Sequence, residues 1–307
     1  MSESNSIDKK DVIVAIPNDI QLAQSIGKKG TENGVVFYNR KTQDTDIVVL
    51  TPSDPIEKYY AVAESIILSD IVIISTKKID ALLGECLIAC QLLGKKVAIT
   101  DEMDIQNITK GMSLNFDIIK SEELLNYITA NVASKSGTGD VKVVLDKAFP
   151  VKGVGDIALG FVINGTLKVH DNLLHSNSKS VSIRHIQSHD VDVNYALPGT
   201  RVGIAIKGIG SDEIERGDIF ATKQFKRYSH IKIKVDTTKL TVVDIQNEHF
   251  EVAGIFAHSA VQLNSKNDDI LDMTLMKSLP LEIGNKLLLT RKKSPRIFGV
   301  GEIIEVG

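Results

Sequence analysis

The stretch DKAFPVKGVGDIALGFVINGTLKVHDNLL at residues 146–174, continued by VSIRHIQSHDVDVNYALPGTRVGIAIKGIGSDEIERGDIF at residues 181–220, alternates short apolar runs with turn signals. Gly153-Val154-Gly155-Asp156, Asn164-Gly165 and Pro198-Gly199 punctuate it, and such residues reverse a chain because glycine tolerates positive φ while proline presets φ. Short strands between tight turns predict an antiparallel barrel or sandwich. Residues 157–163 and 166–169, on either side of Asn164-Gly165, read as a hairpin joined by two residues.

C-terminal to this stretch, residues 230–235, 255–263, 269–279, 286–290 and 296–306 form a further set of short strands, predicting a second barrel with a boundary near residues 224–228. N-terminal to it the pattern changes. Strands at residues 12–16, 35–38, 47–50, 70–75, 96–100 and 116–119 alternate with helices at 19–28, 56–68, 81–93 and 122–132, the arrangement of a parallel sheet covered by helices. ASKSGTGD at residues 133–140 has the composition of a flexible linker. The expected fold class is therefore α/β, with a mostly parallel sheet, followed by two antiparallel β-barrels. The expected domains are residues 1–137, 138–224 and 225–307.

The chain has 307 residues, 43% hydrophobic and 24% charged, with a net charge of −3, values that exclude disordered and fibrous classes. The charge supplies no global basic field, so DNA binding is not expected and any RNA contact must use local patches. No apolar run is long enough to span a bilayer, and the polar start at residues 1–10 lacks a signal-peptide core. A cytoplasmic protein without membrane contact is expected. Cys86 and Cys90 lie on one face of an apolar helix and read as buried reduced thiols, with no metal site assigned.

The turn glycines and charged residues of the opening stretch carry a resemblance. Lys152-Gly153, Gly165, Asp171, Arg184-His185-Ile186-Gln187, Pro198-Gly199, Arg201-Val202-Gly203 and Glu215-Arg216-Gly217-Asp218 stand where translational GTPases place such residues in their second domain. The sequence resembles translation elongation factors of the Tu type. IQSHDVDV, together with IGKKGT at residues 26–31, looks most like archaeal relatives of the selenocysteine-specific elongation factor, including the group once proposed to serve pyrrolysine. LLGECLIACQLLGKKVAI at residues 82–99 and PRIFGVGEI at residues 295–303 extend the resemblance over most of the chain.

The resemblance implies a GTPase domain, but its signature elements are degenerate. A Gly-rich phosphate loop needs several backbone N–H groups converging before a helix, and between Ile16 and the helix stand only Pro17, Asn18 and Asp19. The family's D-T-P-G-H segment is Leu50-Thr51-Pro52-Ser53-Asp54 here, and its guanine-reading N-K-x-D is Asp101-Glu102-Met103-Asp104. The former loses its Asp, Gly and His, and the latter keeps only its final residue, Asp104, as a vestigial guanine contact. No GTP binding, catalytic residue or cofactor is expected.

In such factors the second domain holds the aminoacyl end of tRNA. The matching segment makes Gln187 and His189 candidates for that pocket, with Gln187 replacing an acidic residue. Lys286, Arg291, Lys292, Lys293 and Arg296 form the densest basic run and are candidates for the tRNA backbone, because neutralising phosphates releases counterions. The expected function is an elongation-factor-like translation protein acting by binding tRNA, ribosome or another translation component. Two alternatives stand beside it: a working factor using GTP and Mg with atypical phosphate contacts from Lys28 and Lys29, and a scaffold for a protein partner.

Overall fold

The computed structural model describes residues 9–237 and 244–307; the polar segment at residues 1–8 lies outside the described residues. The first domain comprises β1 (Lys10–Ala15), α1 (Ile20–Ile26), β2 (Lys28–Asn33), β3 (Val35–Lys41), β4 (Thr45–Pro52), α2 (Tyr59–Leu68), β5 (Ile71–Ile74), α3 (Ala81–Leu93), β6 (Lys96–Thr100), α4 (Gln106–Thr109), β7 (Phe116–Ile119) and α5 (Leu124–Ala130). Its sheet runs β2-β3-β4-β1-β5-β6-β7. The β1–β4, β1–β5, β5–β6 and β6–β7 pairs are parallel, and β2 and β3 extend one edge antiparallel. Apolar side chains alternate to the two faces: α1 and α5 cover Val12, Val14 and Ile73, while α2 and α3 cover Val72, Ile74 and Val97. Cys86 and Cys90 are buried free thiols on the inner side of α3.

The second domain contains β8 (Lys142–Val151), β9 (Gly155–Asn164), β10 (Leu167–Lys168), β11 (Asn172–His175), β12 (Ser180–Ser188), β13 (Val191–Val193), β14 (Tyr195–Ala196), β15 (Arg201–Lys207) and β16 (Ile219–Ala221). Pairing of β11 with β12 closes a ring β11-β16-β8-β9-β15-β12, with β13 outside it. The third domain is a closed barrel of β17 (Arg227–Thr237), β20 (Ile270–Pro280), β19 (His258–Asn267), β18 (Glu251–Ala253), β21 (Lys286–Thr290) and β22 (Ile297–Val306). The architecture is thus a largely parallel α/β domain followed by two antiparallel barrels.

Three local expectations are corrected. The Asn164-Gly165 hairpin does not form: only Gly165 has positive φ, at 67°, whereas a type I′ turn needs it at both central residues. Asn164 instead donates from Nδ2 to the Asp140 carbonyl at 2.6 Å, and β10 pairs with β14. The single strand expected at residues 255–263 breaks at Phe256, whose φ of 52° turns its ring into the junction of the three domains. The helix expected at 19–28 ends at Ile26, and Gly27 is extended, so that Lys28–Asn33 forms an edge strand.

The three domains pack as one body. Phe37 of β3, Phe161 of β9 and Phe256 are fully buried against one another, with ring centroids 5.9, 6.0 and 6.1 Å apart. Glu64 of α2, wholly buried, pairs with Arg216 at 2.7 Å and faces His258 at 3.5 Å. Residues 133–140 are pinned: Lys135 pairs with Asp70 at 2.6 Å, and the Gly137 carbonyl accepts from Thr166 at 2.7 Å.

Candidate functional site

Open α/β sheets bind ligands outside the carboxyl ends of their parallel strands, and here the loops at that edge are hydrogen-bonded to one another. The link between β1 and α1 is four residues, Ile16 to Asp19. Asn18 bridges to β5, donating from Nδ2 to the Ser75 carbonyl at 2.7 Å and accepting from the Ser75 N–H at 3.0 Å. Asp19 caps α1 by accepting from the Leu22 N–H at 2.9 Å; its other oxygen accepts from Ser75 Oγ at 2.9 Å and pairs with Lys77 at 3.1 Å. A carboxylate therefore stands at the helix start, satisfying a donor that an anion would otherwise use.

The neighbouring loops are occupied in the same way. Asp54 accepts from the Ile56 and Glu57 N–H groups. Glu102 accepts from Ser121 at 2.7 Å and Thr76 at 3.1 Å, which helps hold its carboxylate below the usual range against the opposing effect of partial burial. Asp104 is exposed and accepts from the Gln106 N–H at 2.9 Å, making the Asx turn that starts α4.

A second concavity of about 470 Å³ lies between the β2–β3 edge and the first barrel, and it gathers Lys28, Lys29, Lys41 and Arg201 with Gln187, His189 and Asp190. Lys28 and Lys29, expected at a helix end, sit on β2 and face this cleft. Edge strands commonly carry lysines to discourage sheet extension; these two also leave a basic rim. Arg201 lies over the Phe37 ring with its guanidinium carbon 4.1 Å from the centroid and donates to Thr31 Oγ1. Its stack joins the cleft floor to the aromatic junction.

Gln187 and His189 are both in the cleft wall, but they differ in freedom. Gln187 is exposed at the end of β12 and donates to Asp192 at 2.8 Å, an acceptor it shares with His185 at 2.9 Å. His189 and Asp190 form the two-residue turn between β12 and β13, with φ of 50° and 63°. Both signs are positive, so the type I′ turn missing at Asn164-Gly165 is built here from His and Asp. The His189 carbonyl accepts from Lys41, while its Nε2 is buried without a hydrogen-bond partner. Burial lowers the affinity of this imidazole for a proton, against the pull of Asp46.

The basic run of the third domain is split by folding. Arg291 is buried, pairing with Glu248 at 2.6 Å and donating to the Pro295 carbonyl. Arg296 is 7% exposed and doubly bound to Glu85 of α3 at 2.8 and 2.9 Å. Lys286, Lys292 and Lys293 remain exposed, and Lys293 pairs with Glu248 at 3.1 Å. The run is thus partly an interdomain fastening, and it is separate from the cleft holding Gln187 and His189. Nothing in the local sequence distinguished the two arginines from the lysines; their partners come from distant segments.

Among the described residues no helix is long and apolar enough to cross a membrane. Residues 155–221 match the model of elongation factor Tu domain 2. An uncharacterized protein of Methanocaldococcus jannaschii is 29% identical over 296 residues, covering 92% of this chain and 96% of that protein. The selenocysteine-specific elongation factor of the same organism is 26% identical over 215 residues, covering 61% of this chain and 46% of the factor. The alignment therefore spans less than half of that relative. The crystal structure of translation elongation factor SelB from Methanococcus maripaludis, in complex with the GTP analogue GPPNHP, superposes with a TM-score of 0.79 at 19% identity, covering 98% of this chain and 80% of that one. The chain shares the fold of these factors and is homologous to the selenocysteine-specific ones.

Proposed function

We propose that this elongation-factor-like chain, a relative of the selenocysteine-specific factors, binds the acceptor end of a tRNA in the cleft between β2–β3 and the first barrel, and does so without GTP. One observation carries the reading: the cleft brings Lys28, Lys29, Lys41 and Arg201 beside Gln187 and His189, whereas Asn18 and Asp19 close the crevice where a nucleotide phosphate would need open N–H donors. Lysines at the rim neutralise backbone phosphates. Polar groups at the end of β12 are available to an aminoacyl group. Exposed Lys286, Lys292 and Lys293 add a second, non-specific contact along the stem. GTP, Mg and a hydrolytic step have no role in this reading.

Two measurements test it together. Titration with a fluorescent GTP analogue should give no saturable binding up to about 100 μM, a weak limit by the affinity scale of about −5.5 kcal/mol; micromolar binding abolished by changing Asp104 would establish a working nucleotide site instead. Pull-down from cell extract should enrich tRNA in an RNase-sensitive manner. Capture of protein alone, unaffected by RNase, would point to the scaffold reading.

A further inference from the structure

Asp11 and Asp46 are direct partners in the parallel β1–β4 register, so their side chains project to the same side of the sheet. The β12–β13 turn brings His189 of the first barrel onto them, and one ligand atom from each of the three lies within 4.8 Å of the others. The surroundings leave this group under-satisfied. Asp46 Oδ1 and His189 Nε2 are both buried with no hydrogen-bond partner. The cation beside Asp46 is Lys9, 3.5 Å away and 41% exposed, with its Nζ also donating to the Thr42 carbonyl at 2.9 Å. Asp11 spends one oxygen on Thr200 Oγ1 at 2.6 Å. Two adjacent carboxylates repel unless a cation or a shared proton stands between them.

The backbone adds an independent sign. His189 and Asp190 hold positive φ in succession, a conformation that glycine or asparagine would adopt at lower cost. Backbone strain of this kind clusters where a side chain must be presented.

We propose that Asp11, Asp46 and His189 form a binding site for a divalent first-row transition ion of the zinc type, linking the first domain to the first barrel. One imidazole with two carboxylates suits zinc, which takes such ligands at about 2.0–2.2 Å and leaves a fourth position for water. Magnesium and calcium prefer all-oxygen sets and are disfavoured by the imidazole. Closing the three donors, all within 4.8 Å of one another, around zinc calls for side-chain rotation. Bound metal would fasten the β12–β13 hairpin to β1 and β4 and take up the imidazole that lines the cleft. The inference rests on the geometry of these three residues and not on the tRNA reading.

The test uses the full chain, stripped with chelator, dialysed against micromolar ZnCl2 and assayed for retained metal by mass spectrometry. One zinc per chain is expected, with at least tenfold weaker retention in Asp46→Asn and in His189→Gln. Cobalt loading of the unmutated chain gives a second readout independent of variant folding: visible ligand-field bands without thiolate charge transfer are expected. No stoichiometric retention, retention unchanged in the double variant, or thiolate bands indicating Cys86 and Cys90 would each overturn the proposal. Retained zinc with no tRNA binding would sink the tRNA reading alone.

Discussion

At the scale of single residues, the strongest commitments are buried charges whose partners lie in another domain. Glu85 is 3% exposed and receives the Arg296 backbone N–H and guanidinium together with Ser294 Oγ. Removing one member of such a pair leaves the other charged and desolvated. Arg296→Ala should therefore cost about 3–5 kcal/mol in denaturant unfolding, whereas Lys292→Ala, on the same loop but exposed, should stay within about 0.5 kcal/mol. Similar losses for both would refute this division of the basic run. Lys95 offers a pH test. Its Nζ donates to the Ile67 and Ser69 carbonyls at 2.7 Å each, yet burial pushes the ammonium down to about 8. Above that pH the folded chain has released a proton that the unfolded chain keeps, so this group makes stability rise with pH. Between about pH 8 and 9.5 the gain should be about 1–2 kcal/mol, measured by urea unfolding and absent in Lys95→Met; equal slopes in both proteins would contradict it.

At the scale of elements, β2 decides the character of the cleft. Its six residues, KKGTEN, have no apolar alternation, and it pairs with β3 alone as the sheet's edge. Reversing its charge in a Lys28→Glu/Lys29→Glu variant should weaken tRNA binding at least tenfold and reduce the salt dependence by about one to two phosphate contacts. Filter binding at several salt concentrations reads both; an unchanged slope would place the RNA elsewhere. The same strand shows what a sequence reveals and what it hides. Buried strands such as β5, with IVII, and α3 with its terminal Gly94 at positive φ, announce themselves through continuous apolar content and capping chemistry. The barrels are legible because their turn residues recur. An edge strand held by one neighbour carries no such pattern, and the Asn164-Gly165 signal was overridden when the Asn164 side chain found the Asp140 carbonyl. Gln187 and His189 could be singled out beforehand by resemblance to a known pocket, a role that the tRNA measurements test, whereas Asp11, Asp46 and Arg201 meet their partners only when the first domain packs on the barrel.

At the scale of the whole molecule, three domains share one aromatic junction and two buried ion pairs, Glu64 with Arg216 and Glu85 with Arg296. Helix α2 is held on its far side by barrel residues, Glu64 meeting Arg216 and His258. We expect small-angle scattering curves with and without GTP to superpose; a shift in the radius of gyration on adding GTP would count against the nucleotide-independent reading. Calorimetry should show a single unfolding transition, with Phe256→Ala costing about 3–5 kcal/mol and splitting it as the third domain uncouples. Three resolved transitions in the unmutated chain would contradict that coupling.

The aromatic junction also sets an order of events during synthesis. Phe37, Phe161 and Phe256 come one from each domain, so a nascent chain displays first one ring and then two while the ribosome is still making the third barrel. Until Phe256 emerges, the growing chain carries an apolar notch that nothing in its own sequence can yet fill, and a pause in translation before that codon would leave the notch open to chaperones or to a neighbouring nascent chain.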